Sequence, residues 1–200
     1  AKQDDLPYSI GQFVWTGIDY IGEPTPYYSY WPSRSSYFAP VDLAGLPKDR
    51  YYLYRSVWNT SSPTLHLLPH WTWHGREGKV TPVYCYTSYP EAELFVNGKS
   101  QGRIKKNKAS KLDRYRLRWN NVVYEPGELK VVAYDEKGKE VAQQTIHTAG
   151  APHALKIEVD KQQLANDGKD LLYYTISMVD KDGNLCPDAN DLLLFEVSGA

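Results

Sequence analysis

The segment Glu93-Leu94-Phe95-Val96-Asn97-Gly98-Lys99-Ser100 decides the fold class of this chain. A short strand-like run meets Asn-Gly, the pair that type I′ turns select because both central residues need positive φ. The chain must double back there as a hairpin, with Ser100 to Ile104 as the returning strand. Upstream, Leu65 to Trp73, Lys79 to Tyr86 and Ala92 to Val96 also read as strands. Downstream come Tyr115 to Trp119, Leu129 to Tyr134 and Val141 to His147. Tyr115-Arg116-Leu117-Arg118-Trp119 alternates ring or apolar with basic residues, as a half-exposed strand should. Pro126-Gly127 and Glu136-Lys137-Gly138-Lys139 supply turns between them. About seven strands in about ninety residues predict an immunoglobulin-like β-sandwich over residues 61–149.

On the C-terminal side, Gly150-Ala151-Pro152 reads as a short linker into a second β region, residues 150–200. Leu155 to Val159 alternates cleanly, Leu171 to Val179 is a second strand, Asp182-Gly183 a turn and Leu192 to Val197 a third strand. That is half of a typical sandwich, and so small a core is marginal alone. It is expected to be a truncated β domain.

Residues 1–60 differ in character. Ile10 to Trp15 reads as a buried strand, Gly22 to Pro40 as a loop broken by Pro24, Pro26, Pro32 and Pro40, and Pro47 to Trp58 as a helix with Pro early in its first turn. Tyr51, Tyr54, Val57 and Trp58 fall on one helical face, which is expected to be buried. A strand running into a Gly/Pro-rich loop that carries Trp15, Asp19 and Glu23 has the layout of an active-site strand end in a (β/α)8 barrel. One βα unit cannot cover its own apolar faces, since parallel strands need cover on both sides. The fold class is thus mainly β: immunoglobulin-like sandwich domains preceded by the last βα unit of a barrel. A chain that starts without Met just ahead of such a strand is expected to be the tail of a longer enzyme.

Bulk properties narrow the function. With a formal net charge of −1, the chain has no electrostatic case for nucleic acid or an anionic membrane. No apolar run approaches the ~18 residues of a spanning helix, and Ala1-Lys2-Gln3-Asp4-Asp5 has no targeting character. Cys85 and Cys186 fall in different predicted domains and read as small buried apolar groups, not as a disulfide. The 17 Tyr and 6 Trp, crowded toward the first ninety or so residues, suit sugar stacking and domain interfaces equally well.

The residues Phe13-Val14-Trp15-Thr16-Gly17-Ile18-Asp19-Tyr20-Ile21-Gly22-Glu23-Pro24-Thr25-Pro26-Tyr27 closely resemble the last barrel strand and its loop in family 2 glycoside hydrolases of the β-galactosidase type. The resemblance continues through Trp31-Pro32-Ser33-Arg34-Ser35-Ser36-Tyr37-Phe38, the Pro47 to Trp58 helix, His66-Leu67-Leu68-Pro69-His70-Trp71 and Glu93 to Ser100. Asp180-Lys181-Asp182-Gly183-Asn184 is similar to the bacterial immunoglobulin-like domain that often follows in these enzymes. The family implies a retaining hydrolase of terminal β-galactosides that uses two glutamates, one as nucleophile and one as proton donor. Those glutamates belong to earlier barrel strands, so no catalytic residue is assigned to this chain. The resemblance matches Trp15 to the tryptophan walling the subsite of the cleaved sugar, and Asp19 to the aspartate shortly after it.

Each candidate has a plainer alternative. Trp15 could be an ordinary core aromatic, and Asp19 is weighed toward holding backbone and loops over touching sugar. Glu23 sits where a ligand-contacting carboxylate would, although a solvated loop charge is as good a reading. Asp19 and Glu23 as a self-sufficient catalytic pair require a helix that Gly22 and Pro24 oppose. His66, His70 and His74 recur every four residues, but an extended segment spreads such positions by ~13 Å, too far to share an ion. Asn59-Thr60-Ser61 reads as a helix-to-strand connection, and Lys105-Lys106-Asn107-Lys108 with Lys111 as a solvated basic loop. No metal or cofactor is expected.

The chain is therefore expected to be a C-terminal, non-catalytic part of a β-galactosidase-like enzyme. Its partners would be a β-galactoside-containing carbohydrate in the intact protein and the remainder of that protein, with exposed ends that associate with other chains. The rival is a free-standing carbohydrate-binding or adhesion module of tandem β-sandwiches, in which an orphan βα unit would have no purpose.

Overall fold

The computed structural model describes residues 3–25, 27–30, 34–196 and 198. After a short 3-10 turn (Gln3–Asp5), one helix, α1 (Asp49–Trp58), precedes nine strands: β1 (Leu65–Leu68), β2 (Val83–Thr87), β3 (Glu91–Val96), β4 (Lys99–Lys105), β5 (Leu117–Trp119), β6 (Glu128–Tyr134), β7 (Glu140–His147), β8 (Ala154–Val159) and β9 (Tyr174–Val179). All ladders between these strands are antiparallel. A three-stranded sheet, β1-β2-β5, faces a four-stranded sheet, β4-β3-β6-β7, and β8-β9 form a separate pair.

The sandwich core follows from alternation. Leu94 and Val96 on β3, Leu129 and Val131 on β6, Val83 and Cys85 on β2, and Leu117 and Trp119 on β5 all point inward and are buried. Each such side chain contributes roughly 1.5–3 kcal/mol when removed from water. Trp71 and Tyr124 close one end of the core, edge-to-face at 5.0 Å. Both rings keep their polar handles satisfied: Trp71 Nε1 donates to Glu125 O at 3.0 Å, and Tyr124 Oη accepts from Trp73 N at 3.2 Å.

Asn97 and Gly98 adopt φ of 49° and 77°, the left-handed pair a type I′ turn requires. Asn97 also ties this hairpin to the neighbouring turn, accepting from Glu128 N at 2.7 Å and donating to Pro126 O at 3.1 Å. Gly127 makes that approach possible. Its φ is +129°, and a Cβ there would lie 2.1 Å from Asn97 Oδ1.

Several expectations need correction. Residues 10–15 form no strand: Ile10 and Phe13 are fully exposed and Trp15 is 76% exposed. A parallel strand needs partners on its edges and cover on its faces, and the described residues supply neither. The chain instead makes single bridge pairs, Ile18 with Val41 and Ile21 with Ser35. The strand expected over 65–73 stops at Leu68, since Pro69 has no amide to donate, and the one expected over 79–86 starts after Pro82. The strand expected over 171–179 begins only at Tyr174. Residues 192–196 form no strand, leaving Leu192, Leu194 and Phe195 exposed; Val197 lies outside the described residues.

Helix α1 forms where expected but packs on a different face. Tyr51, Val57 and Trp58 are exposed and Tyr54 half-buried, stacked on Trp58 at 4.6 Å. The face turned to the sandwich carries Tyr52, stacked on His66 at 3.8 Å, and buried Ser56, whose carbonyl accepts from Ser88 Oγ at 3.2 Å. Asp49 bonds His66 Nε2 at 2.7 Å. The N-terminal segment thus docks through Tyr52, Asp49 and Ser56, not through Tyr51, Tyr54 and Trp58.

The linker beyond β7 is stitched on both sides. Ala149 N donates to Thr72 Oγ1 at 2.9 Å, and Gly150 N to Asp180 Oδ2 at 2.8 Å. Asp180 Oδ1 also accepts from the amides of Asp182 and Asn184. The Gly150 amide, the Asn184 side chain and these loop amides hold the Asp180 carboxyl well below the usual carboxylate range. Cys85 and Cys186 are both buried free thiols, and burial pushes Cys85 up to about 12.

Candidate substrate-site loop

The loop that follows Trp15 is organised around one buried carboxylate. Asp19 N donates to Val41 O at 2.9 Å, and Lys48 N to Pro40 O at 2.9 Å, so residues 39–48 wrap back onto the start of the loop. The Asp19 side chain fills the space between them. Its Oδ1 accepts from Ala39 N at 3.0 Å and Ser36 Oγ at 3.3 Å, while Oδ2 pairs with the Lys48 ammonium. Burial alone would raise this carboxyl; Lys48, the Ala39 amide and the Ser36 hydroxyl outweigh that and place it below the usual value. Lys48 also donates to Tyr37 O at 3.2 Å, which fixes the far end of the loop.

From this anchor the loop leaves and returns as a ladder-like pair. Gly22 N donates to Arg34 O at 2.7 Å and Ser36 N to Tyr20 O at 2.9 Å. Ser36 Oγ in turn accepts from Tyr20 N at 3.0 Å. Tyr20 is held between these bonds and an edge contact with Phe38 at 5.9 Å. Its hydroxyl then joins the two other candidates: it accepts from Trp15 Nε1 at 3.4 Å and donates to Glu23 Oε2. The Glu23 hydrogen bond raises the Tyr20 phenol above its ordinary value.

The structure therefore brings Trp15 and Glu23 together through Tyr20, and keeps Asp19 apart as the support beneath them. Trp15 presents an open indole beside a carboxylate whose second oxygen accepts no hydrogen bond among the described residues, an arrangement suited to a sugar ring and one of its hydroxyls. Asp19, with both oxygens engaged, has no free proton chemistry to offer. Of the motif that carried the resemblance, Pro26, Trp31, Pro32 and Ser33 lie outside the described residues. Beyond the loop, His66 stacks on Tyr52 and His70 on Trp73. Among the described residues no group of three or more His, Cys, Asp or Glu is gathered to hold a metal ion. No described helix is long and apolar enough to cross a membrane.

Sequence reasoning missed Tyr20, Ser36 and Lys48. One signal was available for the last: Lys48 is the residue that opens α1, where a cation opposes the helix dipole unless a carboxylate holds it. The Tyr20 and Ser36 contacts depend on loop closure that spacing does not reveal.

Comparison with known proteins shows what the chain is similar to. Residues 155–200 match the model for "Glycoside hydrolase family 2 C-terminal domain 5", and residues 78–142 match a domain of unknown function, DUF4982. The chain is 51% identical over 196 residues to the beta-galactosidase BoGH2A of Bacteroides ovatus, covering 98% of this chain and 22% of that protein. It is 36% identical over 197 residues to a putative beta-glucuronidase of Formosa agariphila, covering 98% of this chain and 18% of the relative. The chain thus spans about a fifth of the length of these relatives. Among solved structures, a beta-glycosidase from Bacteroides vulgatus superposes with a TM-score of 0.80 at 35% identity, over 93% of this chain and 22% of that one. A family 2 glycosyl hydrolase from Bacteroides cellulosilyticus does so with a TM-score of 0.74 at 28% identity, over 88% and 26%. Residues 155–200 thus carry a C-terminal domain of glycoside hydrolase family 2, and nearly all of the chain is similar in sequence and fold to the C-terminal portion of such enzymes.

Proposed function

We propose that this chain is the C-terminal part of a retaining glycosidase that hydrolyses terminal β-galactosides, and that its N-terminal segment supplies one wall of the substrate site. The observation that carries the reading is the Trp15–Tyr20–Glu23 cluster standing on the Asp19–Lys48 pair. It puts an exposed indole and an acceptor carboxylate side by side on a supported loop, as a sugar-binding wall requires. Trp15 packs against the sugar ring, Glu23 accepts from a sugar hydroxyl, and Asp19 positions the loop. Residues 61–149 and 150–200 act as bracing β domains. The proton donor and nucleophile are glutamates of the enzyme outside this chain, so the chain alone is inactive.

The choice of galactose is supported by the 51% identity to a protein named beta-galactosidase. A second reading, a β-glucuronide substrate, is supported by the 36% identity to a protein named as a putative beta-glucuronidase. The test is kinetic. In the full-length enzyme, Trp15→Ala should lower kcat/KM for an aryl β-galactoside by at least about tenfold, about 1.4 kcal/mol of transition-state binding. Wild-type kinetics in that variant would remove Trp15 from the site. Faster turnover of the aryl β-glucuronide by the unaltered enzyme would select the second reading.

A further inference from the structure

Positive charge in this nearly neutral chain is concentrated between Lys105 and Arg118, where basic residues face a single acid, Asp113. Most of these cations have an employer in the fold. Arg114 pairs with Asp5, Arg118 with Asp113, and Lys106 turns inward to Thr87 O. Arg116 is held more loosely: it makes no ion pair within contact distance among the described residues, feeling the Asp113 charge only at longer range; its Nε is buried without a hydrogen-bond partner, and its guanidinium sits 5.6 Å from the Tyr84 ring. Tyr84 and Arg118 are register partners on β2 and β5, so this ring and these cations share the outer face of the three-stranded sheet.

Beside them lies a concavity lined by Lys105, Asn107, Asp113, Arg116, Arg118 and Asn120. Its one carboxylate is already taken, accepting from Arg118 and from Ser110 Oγ at 2.9 Å. Lys105 reaches only to Glu91 at 3.6 Å, and Glu91 is bonded by Arg103 at 3.0 Å. The hollow therefore sets three cations, Lys105, Arg116 and Arg118, around one carboxylate, with the Arg116 terminal amino groups making no hydrogen bond among the described residues, and has two side-chain amides and an aromatic ring close by.

We propose that this hollow binds the carboxylate of an acidic sugar, a uronate residue within a glycan chain. A guanidinium fork matches a carboxylate in plane and spacing. The amides of Asn107 and Asn120 suit ring hydroxyls, which both donate and accept. A nucleic acid would need an extended positive field, which a chain of net charge −1 does not provide. The preference for a saccharide over an acidic peptide rests on the glycosidase reading above.

Binding of trigalacturonate to the 200-residue chain, followed by calorimetry or by shifts of its NMR signals, tests the proposal. The acidic trisaccharide should bind and a neutral galactotriose should not. Affinity should fall several-fold as ionic strength rises from about 0.05 M to about 0.5 M. Arg116→Gln should weaken it about tenfold with the thermal melt unchanged, and Lys105→Gln about two- to threefold. If Arg116→Gln does not fold, Arg116→Lys keeps the charge, loses the fork and should still bind several-fold more weakly. The proposal is overturned by absence of binding, by equal binding of the neutral trisaccharide, or by unchanged affinity in the Arg116 variants. A triaspartate peptide that binds as tightly as the uronate would also overturn it. Hydrolysis is not read in this experiment, so failure of the glycosidase reading would leave its result interpretable.

Discussion

Two regions of this molecule use tryptophan in opposite ways. In the sandwich, Trp71 and Trp119 are 1% and 5% exposed, each donating its indole N–H to a backbone carbonyl. In the N-terminal segment, Trp15 and Trp58 are 76% and 66% exposed. The sandwich closes its own core because two sheets of alternating strands bury each other. The N-terminal segment cannot, because its apolar residues cover the faces of one helix and one extended run. The difference separates a region whose large apolar side chains hold a fold from one whose side chains are held out by a local polar scaffold.

The largest effect expected of a single change is in the sandwich. Leu94→Ala removes a fully buried side chain and should cost about 2–5 kcal/mol in denaturant unfolding of the isolated chain. A cost below about 1 kcal/mol would mean that the core is less closely packed than its burial indicates.

Gly127→Ala should come next, at about 1–3 kcal/mol, because it strains a positive φ and drives a methyl group into the Asn97 amide that bridges two turns. A neutral result would show that Asn97 can swing away freely.

The scaffold under Trp15 answers to pH. The Asp19 carboxyl sits below its ordinary value in the folded loop. A carboxyl depressed on folding contributes stability that is complete above its unfolded value near 4 and is lost as pH falls through the folded one. Amide exchange at Ala39 N, which bonds Asp19, should therefore stay slow down to about pH 4, with protection declining below it. Lys48→Met should accelerate that exchange about tenfold or more at neutral pH while leaving β3 and β6 amides unchanged. Equal acceleration in the sandwich would join the two regions into one cooperative unit.

The smallest effect should come from Trp58→Ala in the isolated chain, within about 0.5 kcal/mol, since that indole is 66% exposed and stacks on Tyr54 of its own helix. A cost comparable to Leu94→Ala would contradict the separation of the two regions.

Legibility followed the same divide. All seven sandwich strands were readable, because period-two alternation and the Asn97-Gly98 turn are local signals that the two sheets then reinforce. Their ends shifted where Pro69 and Pro82 interrupt the ladder. Residues 10–15 and 192–196 have the composition of strands but not the partners, and composition cannot say whether a partner is present. Helix α1 was legible as a helix, yet its packed face was not. Tyr51, Val57 and Trp58 are the larger apolar surface, but Tyr52 and Asp49 meet His66, a contact created by β1 arriving beneath the helix.

The site divides likewise. Trp15, Asp19 and Glu23 were singled out from their motif, and the order of residues alone determined the hairpin, the β class and the kinship to family 2 hydrolases. Only the tertiary structure decided that Asp19 supports while Trp15 and Glu23 meet through Tyr20. Lys48 lies twenty-nine residues from Asp19, and their pairing exists only once the loop between them has closed. Local patterns record which backbone states are cheap. Which carboxylate is buried against which cation is settled by long-range closure, where desolvation and charge pairing are weighed together.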